Sequence, residues 1–363
     1  MIRIAFIGSG PWSELILDTY MNLLEKRNVK RDTIPEFEIC GFWSKDESFS
    51  NEFSNKIGSL KKYNTLEEIL NDEKINLVEI SGPDKNHVNY TNQALKMGKH
   101  VSLAPPPATN LRELELLIDN LKKFSRLKAF RIINLLDFAS PFKNLLIYSK
   151  KRHFGTIHTI NISSFSYNYP EDSLFGTFYS VIEYVESILG KIEIVLGWSL
   201  EDVKDRILNK TDLNYVFIPK NNAKHGTWMH QYIPGLKAKN KSVGTEFIMN
   251  VIGSSALAFA YGPYSGIFNE SPISRAPGVY WCHKKDHEWK SDIEFGNIQN
   301  QNLNTEFIKF LNSINNGKFP KIEYSKIRES MKVLISMMFS LQNNFSAVKT
   351  ANISSVSSLN LQP

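Results

Sequence analysis

A glycine-rich turn at positions 8–13, GSGPWS, has the residue types and the spacing that can hold a phosphate. It follows the apolar run IRIAFI and precedes a stretch with helical periodicity, so it lies between a strand and a helix. Gly8 permits a tight turn there, and Gly10 lets the backbone approach a diphosphate. Pro11 and Trp12 lead into a helix that begins near Ser13, and the free N–H groups at its start attract anions. Ser13 replaces a third glycine, and it could cap the helix. The turn predicts a dinucleotide site, with a turn that binds no ligand as the alternative.

The end of the second predicted strand, FEICGFW, indicates which dinucleotide the turn would hold. Enzymes that use NAD carry an acidic residue at this position, whose carboxylate accepts hydrogen bonds from the ribose hydroxyls. Here Ser44 and Lys45 follow the strand, and a hydroxyl beside a cation suits a 2′-phosphate better. NADP is therefore preferred over NAD. Asp46 and Glu47 come next in the chain and would favour NAD, and Lys45 could be an ordinary solvated residue.

A parallel sheet is needed to position these residues, and the first third of the chain has the required pattern. Apolar, β-rich runs alternate with helical stretches, which predicts βαβ units in a Rossmann domain over residues 1–136. Over residues 137–349, longer alternating strands with fewer helices predict an α+β domain on an open, mostly antiparallel sheet. We expect this second domain to serve the substrate and oligomerisation, and residues 350–363 to form a polar tail.

Composition excludes several other classes of protein. Of the 363 residues, 42% are hydrophobic and 22% are charged, and no run of about 18 apolar residues occurs, so no membrane span is expected. The net charge of +6 comes from scattered lysines without a basic helix, so no nucleic-acid partner is expected. The first residues lack the zones of a signal peptide, and Cys40 and Cys282 lie far apart. We expect a cytoplasmic protein with reduced thiols and no metal site.

Two longer stretches, VEISGPDKNHVNYTNQALKMGKHV and SPFKNLLIYSKKRHFGTIHTINI, resemble the glucose–fructose oxidoreductase and inositol dehydrogenase family. The resemblance covers nearly the whole chain. In that family a Thr-Pro and then a His occupy the places where this chain has Gly82-Pro83 and His87. The resemblance implies a Rossmann domain, an open sheet whose face meets the nicotinamide, and assembly through that sheet into a homo-oligomer, a dimer or a tetramer. It also implies that His87 lies near the nicotinamide ribose, with a helix cap as the alternative.

The sequence departs from this family at the residues that move a proton. The family reads Glu-Lys-Pro where this chain has Ala104-Pro105-Pro106, so the lysine has become Pro105, which has neither a charge nor a donor. The family's Asp and His, four residues apart before a Leu-Gly, fall on Gly176 and Ser180. Oxidising a secondary alcohol needs a base at the hydroxyl, so the usual sugar dehydrogenation is not supported. We expect Ala104 and Pro105 to keep the shape of the turn beside the cofactor.

Two short stretches, FYSVIEYVESILG and GSSALAFAYGPYSGIF, resemble a branch of the same family, the thiazolinyl imine reductases, which reduce a C=N bond. Such a reduction needs one proton with the hydride, so a single weak acid near the nicotinamide is enough. In that branch a tyrosine after the sixth strand is the proposed acid, and Asp137 takes that place here. Asp137 follows the carboxyl end of its strand, where ligands bind, but it could equally cap the next helix.

Tyr179 and Glu183 are the other candidates for the proton donor, four residues apart on one helix face. The alternative is a buried tyrosine bonded to a helix carboxylate. Two functions stay open. One is NADP- or NAD-dependent reduction of a C=N or conjugated bond in a small or carrier-bound biosynthetic substrate. The other is a catalytically inactive chain that binds a nucleotide or ligand as a regulatory or scaffold subunit. A sugar or sugar-nucleotide dehydrogenase with a base recruited from elsewhere is third.

Overall fold

The computed structural model describes residues 1–8, 11–27, 34–45, 60–82, 84–124, 126–134, 140–166, 171–199, 212–220, 223–232, 245–263, 278–285, 288–293, 298–343 and 345–354. The chain divides into two compact units. The first contains Met1–Asn134 and Leu303–Tyr324, and the second contains Leu135–Asn302 and Ser325–Pro363. A segment from late in the chain therefore belongs to the first unit, next to the residues predicted to form the Rossmann domain.

The first unit is built on a parallel sheet. Its strands are β1 (Ile2–Ile7), β2 (Phe37–Trp43), β3 (Lys61–Lys62), β4 (Leu77–Ile80), β5 (His100–Leu103) and β6 (Phe130–Ile132), and its first four helices are α1 (Pro11–Arg27), α2 (Leu66–Asn71), α3 (His87–Lys96) and α4 (Leu111–Phe124). Within the described residues these six strands lie in the order β3-β2-β1-β4-β5-β6. β1 and β4 are buried almost throughout, because helices cover both faces of such a sheet. The predicted Rossmann sheet is confirmed.

The second unit is built on a larger, mixed sheet. Its strands are β7 (Ile157–Ser166), β8 (Ile192–Trp198), β9 (Leu213–Pro219), β10 (His225–Tyr232), β11 (Thr245–Gly253), β12 (Ala256–Pro263), β13 (Gly278–His283), β14 (Trp289–Ile293) and β15 (Val348–Lys349). Among the described residues the order is β14-β13-β12-β11-β7-β10-β9-β8-β15. β7 and β10 run parallel, and the other neighbouring strands run antiparallel. The predicted mostly antiparallel sheet is confirmed.

One face of this sheet is covered by a helix. The remaining helices of the chain are α5 (Ser140–Ser149), α6 (Glu171–Leu189), α7 (Ile298–Asn315) and α8 (Tyr324–Gln342). Phe178 of α6 packs its ring against Trp228 and Tyr215, at centroid distances of 4.6 and 6.0 Å. The burial of β9 alternates along the strand, as the two-residue period of a half-covered strand requires. None of the helices that the structure describes is long and apolar enough to span a membrane.

The late segment is held in the first unit by an aromatic and ionic cluster around Arg131. The guanidinium of Arg131 lies 3.9 Å from the ring centroid of Phe307 and 4.4 Å from that of Phe310. Its Nη2 atom also lies 3.5 Å from Oε1 of Glu79, a carboxylate with no exposed surface. The buried hydroxyl of Tyr20 donates to the same carboxylate oxygen. Because these partners lie far apart in the sequence, the segment's place in the first unit cannot be seen in local patterns.

The beginning of the predicted polar tail packs against the second unit. Thr350 is buried, and its hydroxyl donates to the carbonyl oxygen of Ile192 at 3.0 Å. Ile353 is also buried, at 7% exposure. The second unit therefore includes residues as far as Ile353, and residues 355–363 lie outside the described part of the chain.

Candidate functional site

The turn after β1 brings two glycine backbones into contact. Gly8 has a φ of +92°, and its N–H donates to the carbonyl oxygen of Trp43 at 2.8 Å. A Cβ atom on Gly8 would lie 2.3 Å from the Cα of Gly82, so this position accepts no side chain. α1 begins at Pro11, three residues later, and Trp12 in its first turn is 3% exposed. The predicted strand and helix are therefore present on either side of residues 9 and 10, which lie outside the described part of the chain, and the helix begins two residues before Ser13.

Ser13, at the place of the third glycine, cross-links the turn. It lies inside the first turn of α1 and has no exposed surface, so it does not take the capping position that its residue type would allow. Its Oγ lies 2.6 Å from Oγ of Ser81 and 3.3 Å from the carbonyl oxygen of Gly8. The hydroxyl thus ties the helix to the ends of both β1 and β4. Ser81 was not singled out from the sequence, although a polar residue directly after a buried strand is a usable signal.

The end of β2 offers a polar and a cationic side chain. Trp43 is buried, its Nε1 donates to the carbonyl oxygen of Asn64 at 3.3 Å, and its ring lies 5.6 Å from that of Tyr90. Ser44 is half-buried, whereas Lys45 is exposed. Because the Lys45 ammonium group is exposed and lies at the end of a flexible side chain, it can approach a phosphate without leaving a buried position.

His87 bridges two loops rather than capping a helix. It is 1% exposed, and its Nδ1 and Nε2 atoms lie 2.8 Å from the carbonyl oxygen of Pro106 and 2.9 Å from that of Gly82. The imidazole therefore fixes the loop after β4 against the loop after β5. The family resemblance identified His87 as a candidate residue. It did not identify the hydrogen-bond partner Pro106, which lies 19 positions away.

The loop after β5 carries no titratable side chain at the positions where the resemblance places one. Ala104, Pro105 and Pro106 are all buried, and the Pro105–Pro106 peptide bond is cis. The N–H of Ala104 donates to the carbonyl oxygen of Ile80 at 2.8 Å, which continues the pairing of β5 with β4. Ala104 and Pro105 thus shape the loop and supply no proton chemistry.

These residues of the first unit lie along one edge of the parallel sheet. Gly8, Ser44, Gly82 and Ala104 follow β1, β2, β4 and β5. Because the strands are parallel, their carboxyl ends share that edge, where α/β sheets bind their ligands. Three of the proposed site residues, Gly10, Pro83 and Asp137, lie outside the described residues; their sites stay predictions.

In the second unit, Tyr179 and Glu183 of α6 form a pair. The hydroxyl of Tyr179 donates to Oε1 of Glu183 at 3.4 Å, and Tyr179 has no exposed surface while Glu183 is half-buried. Burial, with the negative charge of Glu183 beside it, raises the pKa of Tyr179 well above its usual value. The hydroxyl therefore keeps its proton at neutral pH. This is the geometry of a buried tyrosine bonded to a helix carboxylate.

The two α6 positions that correspond to the family's Asp and His carry no acid or base. Gly176 is buried, and the hydroxyl of Ser180 donates to the carbonyl oxygen of Gly176 at 3.0 Å. One turn beyond Glu183, burial raises the pKa of Glu186 to about 7, although Ser330 Oγ donates to its Oε2 at 2.6 Å. The role of this carboxyl could not be predicted from the sequence, because its burial depends on a contact between α6 and α8.

A glycine turn, the first turn of a helix and the carboxyl edge of a parallel sheet together define a dinucleotide-binding Rossmann domain. Residues 2–129 match the family described as "Oxidoreductase family, NAD-binding Rossmann fold". The N-terminal part of the chain thus matches this family, which is the glucose–fructose oxidoreductase and inositol dehydrogenase family that the sequence resembles. Its members are oxidoreductases that bind NAD or NADP. No group of three or more potential metal ligands occurs in the described portion of the chain.

Individual proteins agree with this assignment. An uncharacterized oxidoreductase of Rhizobium meliloti is 33% identical over 82 residues, which cover 23% of this chain and 25% of that protein. The match thus spans about a quarter of this relative's length. A provisionally assigned NADPH-dependent oxidoreductase of Desulfitobacterium hafniense has a TM-score of 0.74 at 16% identity, covering 97% of this chain and 98% of that one. A levoglucosan dehydrogenase in complex with NADH and L-sorbose has a TM-score of 0.73 at 12% identity, covering 98% and 99%. At these identities the solved structures show a shared fold.

The residues present fit a nicotinamide dinucleotide. Gly8 and Gly82 have no side chains and their backbones are in contact, so neither of these two residues obstructs a diphosphate. The first turn of α1 supplies N–H groups that have no helical partner. Lys45, two residues after β2, is exposed and carries a positive charge, which suits a phosphate group.

Proposed function

We propose that the protein is an NADP-preferring oxidoreductase that reduces a C=N or conjugated bond of a small or carrier-bound biosynthetic substrate. One observation carries this proposal. The positions where the family resemblance implies a lysine, an aspartate and a histidine hold Pro105, Gly176 and Ser180, and the Ser180 hydroxyl is committed to a helix carbonyl at 3.0 Å. Oxidation of a sugar hydroxyl needs a base beside it, and these positions supply none.

Reduction of a C=N bond makes a smaller demand on the protein. A bound nicotinamide supplies the hydride, which adds to the carbon atom of the double bond. The protein then has to deliver one proton to the nitrogen atom and to keep water from competing for it. One protonated side chain is enough to donate this proton. No second acid or base is needed in the same step.

Asp137 and Tyr179 are the candidate donors. The raised pKa of Tyr179 keeps its hydroxyl protonated, but that hydroxyl is bonded to Glu183 and has no exposed surface. Asp137 comes five residues after the end of the sixth strand in the sequence, and α/β sheets bind their ligands beyond the carboxyl ends of their strands. We therefore take Asp137 as the first donor to test, and Tyr179 with Glu183 as the second.

The preference for NADP is supported by the end of β2. A carboxylate at this position would repel a 2′-phosphate, whereas Ser44 offers a hydroxyl and Lys45 an exposed ammonium group. We also place the protein in the cytoplasm, because its two cysteines, Cys40 and Cys282, are both free.

A homo-oligomer is supported by the open face of the second sheet. The strand register puts five exposed apolar side chains on that face: Trp198, Met229, Ile252, Leu257 and Trp289. Such a face normally meets another protein surface, and we assign it to a second copy of the chain, as the family resemblance implies.

The lack of an acid or base at Pro105, Gly176 and Ser180 also favours a second function. In this alternative the chain binds a dinucleotide without catalysing a reaction. One experiment separates the two. The purified chain is titrated with NADPH and NADH, and oxidation of NADPH is then followed with thiazolines, cyclic imines and conjugated carbonyl compounds. We expect NADPH to bind more tightly, at least one imine to be reduced, and Asp137→Asn to abolish that reduction. Binding without turnover of any compound would favour the non-catalytic function instead.

A further inference from the structure

The indole of Trp12 is a buried hydrogen-bond donor without an acceptor. Its side chain is 3% exposed, and its Nε1 atom has no hydrogen-bond partner in the described part of the chain. Two further described tryptophans are buried, and both use this atom. Trp43 donates to the carbonyl oxygen of Asn64 at 3.3 Å, and Trp228 donates to Oγ of Ser164 at 2.8 Å. Trp12 therefore differs from tryptophans of similar burial.

An unused donor of this kind needs a physical reason. More than nine in ten buried polar groups in folded proteins are paired, because an unpaired group has lost its water without replacement. The partner of such a donor is often a group outside the chain, a water molecule or a ligand. An indole N–H can only donate, so the missing partner has to be an acceptor.

The position of Trp12 indicates which acceptor. It is the second residue of α1, a helix of 17 residues whose first turn follows the Gly8 turn. Its neighbour Ser13 is already bonded to Ser81 and to the Gly8 carbonyl, so the turn itself is closed by hydrogen bonds. The free N–H groups at such a helix start attract anions. A diphosphate oxygen is an acceptor that suits both the anion-attracting helix start and the unpaired indole N–H. Because this acceptor is charged, the hydrogen bond would be stronger than one to a neutral group.

We propose that the Trp12 Nε1–H group donates a hydrogen bond to a diphosphate oxygen of the bound dinucleotide. This inference rests on the proposed dinucleotide binding and adds a side-chain contact to the backbone contacts of the turn. It makes Trp12 a residue that binds the cofactor directly, in addition to its packing role. It also predicts that the nicotinamide half of the ligand is not needed for the contact.

The test compares the full-length protein with Trp12→Phe and with Trp281→Phe, a matched loss of an indole from a half-buried side chain that stacks on Tyr148 in the second unit. Each is titrated with NADPH and with ADP-ribose, which has the diphosphate but no nicotinamide. We expect Trp12→Phe to weaken the binding of both ligands about tenfold to a hundredfold, as the loss of a bond to a charged acceptor does. Trp281→Phe should bind both ligands as the unmodified protein does.

The outcomes separate this inference from the proposed function. Failure of the unmodified protein to bind NADPH, NADH or ADP-ribose would overturn both. Normal binding that Trp12→Phe leaves unchanged would overturn the inference alone, and so would a loss for NADPH but not for ADP-ribose. A second measurement does not depend on the folding of the variant. The ¹⁵N-bound indole proton signal of Trp12 in the unmodified protein should move downfield when ADP-ribose binds, and an unmoved signal would also overturn the inference.

Discussion

The backbone of Gly8 lies against the backbone of Gly82, with 2.3 Å between the Gly82 Cα and the place where a Gly8 Cβ would stand. Two strand ends thus meet without any side chain between them. The backbone of Gly8 is also left-handed, at a φ of +92°. The close backbone contact and the positive φ both restrict Gly8. Their effects can be separated by comparing Gly8 with a glycine that has a similar φ but no such contact.

Gly8→Ala should abolish dinucleotide binding and lower the free energy of unfolding by more than Gly190→Ala does. Gly190 has nearly the same φ, +89°, but no atom lies within 4 Å of its Cβ position. The control should therefore cost only the conformational penalty, about 1–2 kcal/mol. Urea unfolding and NADPH titration of both variants measure the difference. Equal stabilities would contradict the backbone contact.

Lys45→Asp should weaken the binding of NADPH by at least tenfold and leave NADH little changed, because it removes a cation and adds a repulsive carboxylate near a 2′-phosphate. Lys74→Asp makes the same charge change at an exposed residue before the start of β4, at the opposite edge of the sheet. Calorimetric titration of the two variants with both nucleotides checks this. The idea fails if both nucleotides bind equally well to the parent protein and to Lys45→Asp.

Arg131→Met should lower the free energy of unfolding by about 3–5 kcal/mol, because it leaves the fully buried carboxylate of Glu79 without its cation. Arg3→Met removes the same group from an ion pair with Glu38, in which the side chains are 37% and 51% exposed. This control should change stability by at most about 1 kcal/mol. Chemical denaturation of both variants measures the two changes in the free energy of unfolding. A small change at both positions would mean that Arg131 does not stabilise Glu79.

The protein should lose stability in mild acid through two histidines, His230, which is buried, and His100, which is half-buried. Burial lowers the pKa of His230 to about 4, and burial with nearby Lys128 lowers that of His100 to about 4, from an ordinary 6.5. The unfolded chain binds these protons at higher pH than the folded protein does. The stability from the two histidines is therefore complete above about pH 6.5 and falls as the pH drops toward 4, by about 1.4 kcal/mol per pH unit for each histidine.

Urea denaturation at pH values between 7 and 4.5 measures this slope. His230→Gln and His100→Gln should each reduce it, and the double variant should reduce it further. The Nδ1 atom of His100 accepts the N–H of Ala129 at 2.9 Å, so protonation there costs a backbone hydrogen bond as well. Slopes that match the unmodified protein in all three variants would exclude these histidines as the source.

The fold was accessible from the sequence wherever local pattern determines structure. The run IRIAFI followed by glycines predicted β1 and a helix near Ser13, because apolar strands and tight turns are properties of neighbouring residues; the helix begins two residues earlier, at Pro11. The stretch HTINISSFSY likewise predicted β7. The grouping of Leu303–Tyr324 with the first unit was not accessible, because Phe307 reaches Arg131 only through the folded chain.

The candidate site divides in the same way. That Gly8, Ser44 and Gly82 share an edge follows from parallel strands, and the pairing of Tyr179 with Glu183 follows from helical spacing. The hydroxyl contact of Ser13 joins residues 68 positions apart, so no spacing rule could predict it. Hydrogen bonds of this kind form only when the ends of distant strands come close together in the folded chain.

The cluster around Arg131 has a consequence for how the chain matures on the ribosome. The Rossmann sheet is synthesised first, but Phe307 and Phe310, which cover Arg131, are among its last parts to emerge. Until then the guanidinium lacks its aromatic cover and the nascent domain keeps an open flank. We therefore expect the nucleotide-binding unit to become protease-resistant only after residues 303–324 have been translated. A chaperone that shields apolar surfaces would be needed on the first unit until Phe307 and Phe310 have left the ribosome.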